Sequence, residues 1–340
     1  MKKIPGLLIL FLFLLTGAFA QGNTTELINE GIKFHDKGDY AAAIEQFKKA
    51  LLADSRSAHA NYELSTSYFA MKDYANALKY ADIVISLNID YIDQAYLLKG
   101  SVQDVTGKPL DAIKTYNKAL KLYPNNHLLY YNLALTSFNL KQYKDADNAL
   151  EHALKIDPYH ASSHFLLALS MLTQEKRAKG ILALFNFLLT EPNSKRSPAA
   201  LQTLEEEMAK ETKKAAGKPV ARSTQANNEE TEFQTAEIML SLNAASRNNE
   251  INRNKTAQQL FIENAQSFFT ILGGLKKNKK GFWWNFYVDY FYTLASKGHT
   301  EALCYYIIQS KGNAYSEWMQ ANLSKMESFS EWYTTYLHKH

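Results

Sequence analysis

Residues 93–126 read DQAYLLKGSVQDVTGKPLDAIKTYNKALKLYPNN, and residues 127–160 read HLLYYNLALTSFNLKQYKDADNALEHALKIDPYH. Laid over each other, they place Gly100 on Ala134, Ala112 on Ala146, Tyr116 on Leu150, Ala119 on Ala153 and Pro124 on Pro158. Each stretch has the periodicity of two amphipathic helices separated by a tight turn. In the first, the turn is Thr106-Gly107-Lys108-Pro109. Glycine there supplies the positive φ that ends a helix, and proline suits the first turn of the next one.

Working outward, segments starting at 24, 58, 93, 127 and 161 align with spacings of 34 or 35 residues. The first carries its turn at Lys37-Gly38-Asp39-Tyr40, and Asp39 and Asp73 stand where they cap the second helices of their segments. Three positions need small side chains because paired helices cross there closely. The eighth holds Gly31, Ser65, Gly100, Ala134 and Ala168; the twentieth holds Ala43, Ala77, Ala112, Ala146 and Gly180. The twenty-seventh holds Ala50, Val84, Ala119, Ala153 and Phe187. Larger residues such as Phe34, Phe47, Tyr68, Tyr116, Leu150 and Leu184 fill the gaps between them. Pro124, Pro158 and Pro192 close the last three segments, where helix continuation is blocked.

This pattern resembles the tetratricopeptide-repeat family over residues 24–194. The resemblance implies an all-α, right-handed solenoid of about five helical hairpins, with a concave groove lined by the first helix of each. It also implies a scaffold that binds peptides or partner proteins. Two departures stand out: Ser55 and Ile89 replace the closing proline in the first two segments, and Phe187 puts bulk where the fifth should be small.

In the family register, positions 2, 5, 9, 12 and 13 of each first helix face the groove. They include Ile28, Ile32, Tyr62, Phe69, Leu97, Tyr131, Leu135, Phe138 and Phe165, with His35, Gln94 and Asn139 among the polar ones. An apolar, aromatic wall with few charges suits a hydrophobic helix or an extended peptide. The family's clamp of Lys, Arg and Asn for a terminal carboxylate is missing, since Ile28, Ile32 and Leu135 occupy its places. Recognition of chaperone tails is therefore not expected. The alternative is that the chain's own later segments fill the groove, because a large exposed apolar patch is unusual on a monomer.

The chain of 340 residues is long enough for two domains. Residues 1–20 have the layout of a secretory signal peptide: Lys2 and Lys3, an apolar run from Leu7 to Leu15, then Ala18-Phe19-Ala20. The protein is thus expected to be exported, either periplasmic or secreted, with no membrane-spanning segment once the leader is cut. Without Lys2 and Lys3 the balance is 36 bases to 34 acids, which gives no footprint for nucleic acid. Cys304 is the sole cysteine, so no internal disulfide is available, and its apolar surroundings suit a buried, inert thiol.

Beyond the repeats, residues 195–214 read as a capping helix with Leu201, Leu204 and Met208 on one face. Residues 215–231 are small and polar, as in a flexible linker. Residues 232–340 read as an aromatic-rich helical domain, with one helix stopped at Gly273-Gly274. The run from Phe282 to Tyr292, with Trp283 and Trp284, is apolar on nearly every face and reads as a bundle core. A stacking platform for cell-envelope carbohydrate or peptidoglycan is the alternative. Lys276, Lys277, Lys279 and Lys280 form a basic turn just before it.

No phosphate loop, nucleophile elbow or metal signature is present. His160 and His164 have i, i+4 spacing but lack the glutamate that makes such a pair catalytic. The expectation is therefore a protein-binding scaffold with no catalytic, cofactor or metal site.

Overall fold

The computed structural model describes residues 24–211 and 228–337. The leader expected at 1–20 and residues 215–227 of the expected linker lie outside the described residues. Residues 228–231, expected to end that linker, are instead the first turn of a helix, Asn228–Ala245. Every regular element among the described residues is helical. The chain divides into two compact units, one ending at Ile156 and the other beginning at Asp157.

The described part of the first unit consists of four hairpins. They pair α1 (24–36) with α2 (Tyr40–Ala53), α3 (Ala58–Ala70) with α4 (Tyr74–Leu87), α5 (Ile92–Val105) with α6 (Pro109–Leu122), and α7 (His127–Asn139) with α8 (Tyr143–Ile156). Small residues set the crossings. Ala43, Ala77, Ala112 and Ala146 are completely buried, as are Ala50, Val84, Ala119 and Ala153. At the eighth position the reason is explicit. A Cβ on Gly31 would lie 2.4 Å from the Phe47 ring, and one on Gly100 would lie 2.3 Å from the Tyr116 ring. In these two hairpins an aromatic ring of the second helix occupies the space a side chain would need.

The hairpin turns share one geometry. Gly38, Lys72, Gly107, Lys141 and Glu175 all have positive φ, between 59° and 81°. The next residue then donates its N–H to the carbonyl five residues back, as in Asp39 to Phe34 and Lys108 to Gln103. Asp39 and Asp73 cap α2 and α4 through Ala42 and Asn76 N–H groups at 3.1 Å, and Pro109 opens α6. Polar bonds also link successive first helices. His35 Nδ1 lies 2.8 Å from Ser67 Oγ, and Thr136 Oγ1 donates to Asp104 at 3.0 Å. Between those two links the same positions carry Phe69 and the buried Val102.

In the second unit, α9 (Ala161–Thr173) and α10 (Arg177–Thr190) form the fifth hairpin. It is followed by α11 (Ser197–Ala209), α12 (Asn228–Ala245), α13 (Ala257–Lys276), a π-helical turn Trp283–Val288 and α14 (Asp289–Ser296). Then come α15 (Thr300–Tyr306), α16 (Asn313–Ala321) and α17 (Leu323–Leu337). The helix α10 is the centre: from Arg177 to Leu189 every residue but Asn186 is buried. Phe187 is therefore not a misfit, because this helix is surrounded rather than packed on one side. The Phe185 ring meets Phe269 of α13 at 5.0 Å, and Phe269 stacks on Phe291 of α14 at 4.6 Å.

A buried charged knot ties the start of α10 to its neighbours. Arg177 donates to the carbonyls of Glu207 (2.8 Å) and Lys210 (3.0 Å), which are left unpaired at the end of α11, and to Ser241 Oγ (2.9 Å). Glu237 accepts the Ala178 N–H at 2.8 Å, and burial raises its carboxyl above the usual range. Leu201, Leu204 and Met208 are buried as the sequence suggests, but α11 packs on α10, α12 and α13 rather than closing an open end.

Two expectations need correction. The helix expected to stop at Gly273-Gly274 runs on to Lys276. Gly273 keeps helical backbone and makes room for the Tyr292 ring, 1.9 Å from where its Cβ would stand. Trp283 and Trp284 are 5% and 1% exposed, so the proposed sugar platform has no accessible surface. Of the basic turn, Lys279 pairs with Glu232 at 2.6 Å, and Lys276 pairs with Asp289.

The turn between α14 and α15 repeats the hairpin geometry of the earlier repeats. Gly298 has φ 77°, and His299 donates to the Leu294 carbonyl, five residues back. The same turn thus recurs inside the aromatic half of the chain, where α14 and α15 both pack on α13.

Candidate protein-binding face

In the first unit, α3 packs on α5 and α5 on α7, so equivalent residues of these helices share one face. Tyr62, Leu97, Tyr131 and Leu135 are half-buried. Phe69 and Phe138 are half-buried too, each leaning on the tyrosine that opens the following helix: Tyr74 at 5.9 Å and Tyr143 at 5.6 Å. Ile28 sits elsewhere. It is 4% exposed within the core of the first hairpins, with Ile32 packed partly against that core. Phe165 belongs to the second unit, where its ring lies 4.8 Å from Phe187 and under the Arg196 guanidinium at 5.6 Å.

Two exposed apolar residues at the same register were not named from sequence. Val105 at position 13 is 56% exposed and Leu128 at position 2 is 39% exposed. The position rule that selected the others contains both.

A third residue, Tyr91, follows no repeat rule. It occupies the N-cap of α5, where the preceding and following repeats have Ser57 and Asn126 capping through their side chains. Tyr91 makes no such bond, which forgoes about 1 kcal/mol. Its φ of 61° is left-handed, at a further cost of order 1–3 kcal/mol for a bulky residue. In return its ring stacks on His59 at 4.7 Å and on Tyr62 at 5.3 Å. Burial, then the charges of Glu63 and Asp93, push the Tyr62 phenol above its ordinary value. Tyr91 is raised in the same way, by burial and then by Glu63 and Asp90.

His160, His164 and Cys304 have partners or burial of their own. Both nitrogens of His164 are engaged, by the Tyr287 hydroxyl at 2.7 Å and the Pro158 carbonyl at 2.9 Å. A carbonyl only accepts, so the proton sits on Nε2, and Nδ1 accepts from Tyr287. Burial holds this imidazole down at about 4. His160 turns its Nδ1 to Ser163 at 2.7 Å. Cys304 is fully buried, and burial raises its thiol far above the ordinary range.

The family model described as tetratricopeptide repeat matches residues 29–91. The one described as anaphase-promoting complex, cyclosome, subunit 3 matches residues 70–153. Residues 29–153 are a tetratricopeptide-repeat segment. A TPR repeat-containing protein of Methanocaldococcus jannaschii is 28% identical over 149 residues, 44% of this chain and 26% of its own length. The human protein O-mannosyl-transferase TMTC3 is 38% identical over 88 residues, 26% of this chain and 10% of its own. Among solved structures, the first TPR domain of Spaghetti (RPAP3), bound to the HSP90 peptide SRMEEVD, is 28% identical. That likeness covers 35% of this chain and 94% of the other, with a TM-score of 0.33. The chain thus spans about a quarter of the archaeal relative and about a tenth of the human one.

The face shared by α3, α5 and α7 lies within this tetratricopeptide-repeat segment. The fifth hairpin, which carries Phe165, lies outside both matches.

Proposed function

We propose that this protein is an exported, non-catalytic scaffold that holds a partner protein or peptide on the first-helix face of its tetratricopeptide-repeat segment. The supporting observation is that Tyr62, Leu97, Val105, Leu128, Tyr131 and Leu135 come from three successive first helices and share one partly open apolar face. Such a face suits the apolar side of a helix or extended segment. The RPAP3 domain is bound to the acidic peptide SRMEEVD. The family resemblance puts Ile32 and Leu135 where a carboxylate-gripping side chain would be needed, so an acidic tail of that kind is not the expected ligand. Export rests on the charged head, apolar run and Ala-Phe-Ala ending of residues 1–20.

The test uses protein purified from a cell envelope and a double variant, Val105→Gln with Leu128→Gln. Val105 is mostly exposed and Leu128 39% exposed, so the stability cost should stay within about 1 kcal/mol. The intact mass should begin at Gln21, and the variant should lose at least tenfold in affinity for partners captured by the unaltered protein. Equal capture by both forms would contradict the binding face; a mass that includes residues 1–20 would contradict export.

A further inference from the structure

The first-helix face has a sign of charge as well as an apolar wall. Helices α3, α5 and α7 carry three carboxylates, Glu63, Asp93 and Asp104, and one ammonium, Lys99. Lys99 is committed to Asp82 at 2.6 Å. Asp104 accepts from Thr136 Oγ1, and Asp93 accepts from Asn126 Nδ2 at 2.8 Å. Both bonds come from neutral donors, which orient the carboxylates without neutralising them. Glu63 has His59 beside it at 3.4 Å, and Asp90 is exposed in the turn before α5. The amide oxygen of Gln94, one residue after Asp93, is buried with no hydrogen-bond partner among the described residues.

Asp104 stands at the far end of α5, whereas Glu63, Asp90 and Asp93 lie around the Tyr62 and Tyr91 rings, whose phenols burial and these charges raise. Tyr91 gives up its capping role and lies flat against His59 and Tyr62. Glu63 follows Tyr62, and Asp90 precedes Tyr91. Aromatic faces attract cations through the ring quadrupole, and neighbouring carboxylates add to that attraction. The next first helix, α7, has no Asp, Glu, Lys or Arg of its own and carries Leu128, Tyr131, Leu135 and Phe138. The face therefore runs from aromatic and acidic to aromatic and apolar.

We propose that the partner is a peptide segment with a lysine or arginine seated against Tyr91 and Tyr62 beside Glu63 and Asp93, followed by apolar residues on α7. This rests on the reading of that face as a binding surface and fixes the partner's charge. Arginine suits the site best, because a planar guanidinium can stack on a ring while it donates to a carboxylate.

The experiment presents a random dodecapeptide display library to the full-length protein, to Tyr91→Ser and to Glu63→Gln. Tyr91→Ser removes the ring, and its fold is checked against the unaltered chain by circular dichroism and urea unfolding; Glu63→Gln keeps the shape and removes only charge. Selected peptides should be enriched in Arg or Lys next to apolar residues, and synthetic versions should bind each variant at least fivefold more weakly. Peptides that bind the unaltered chain and lose affinity for Val105→Gln with Leu128→Gln, but show no basic preference, would overturn the charge assignment alone. An acidic preference would do the same. Failure to select any peptide sensitive to Val105→Gln with Leu128→Gln would overturn the binding face and this inference together.

Discussion

At the residue scale, the repeat is a set of size compensations between the eighth and twenty-fourth positions. Gly31 opposes Phe47 and Gly100 opposes Tyr116, whereas the second repeat pairs Ser65 with Ala81 and the fourth pairs Ala134 with Leu150. Glycine stands where the facing residue is aromatic, and alanine or serine where it is smaller. The need for small residues was legible in the sequence because it recurs at a fixed spacing. Tyr91 was not legible, because it breaks the rule at its own position and its benefit lies in two rings about thirty residues earlier. Gly273 misled for the opposite reason: glycine pairs usually mark helix ends, but this one gives way to a ring from α14. The compensation makes a direct prediction. Gly100→Ala should destabilise the chain by about 1–3 kcal/mol through overpacking. Adding Tyr116→Leu, which copies the alanine–leucine pair of the fourth repeat, should recover at least half of what the single glycine change loses. Urea unfolding of the two single variants and the double variant measures this coupling, and additive losses would refute it.

At the element scale, the hairpins and their turns follow from periodicity, but the surroundings of α10 do not. From Ile181 to Leu189 only Asn186 is polar, which marks a helix with neighbours nearly all round. The repeat pattern drew attention to Phe187 instead. His164 illustrates the limit of local spacing. Its distance from His160 along the helix suggested a metal pair to be weighed, while its actual partner, Tyr287, is 123 residues away. That contact ties α9 to the π-helical turn and has a pH signature. The imidazole sits at about 4 when folded, against an ordinary value of 6.5. Between those values the unfolded chain binds the extra proton, so the contribution is complete above pH 6.5 and is lost as pH falls toward 4. The amount at stake is about 3 kcal/mol. Comparing the pH dependence of stability in the unaltered chain and in His164→Gln isolates it from other titrating groups. The gap between the two should narrow from pH 7 to pH 4; a constant gap would show that His164 does not titrate this way.

At the scale of the whole molecule, an all-helical chain of stacked hairpins could be read from the sequence, whereas the register rule put Ile28 and Phe165 on a face they do not share. Compactness could not be read either. The first four hairpins form one unit, while the fifth packs into the aromatic half through α10, because only there is it enclosed by other helices. The function proposed depends on one claim, that partners sit on the face made by α3, α5 and α7. A photoreactive side chain placed at single positions tests this most directly. Leu97, Leu128 and Leu135 lie on that face, whereas Leu52 is 89% exposed on α2, a second helix. Cross-linking in intact cells should give the same partner adduct from Leu97, Leu128 and Leu135 and none from Leu52. Adducts of equal yield from Leu52, or from Leu52 alone, would contradict the account.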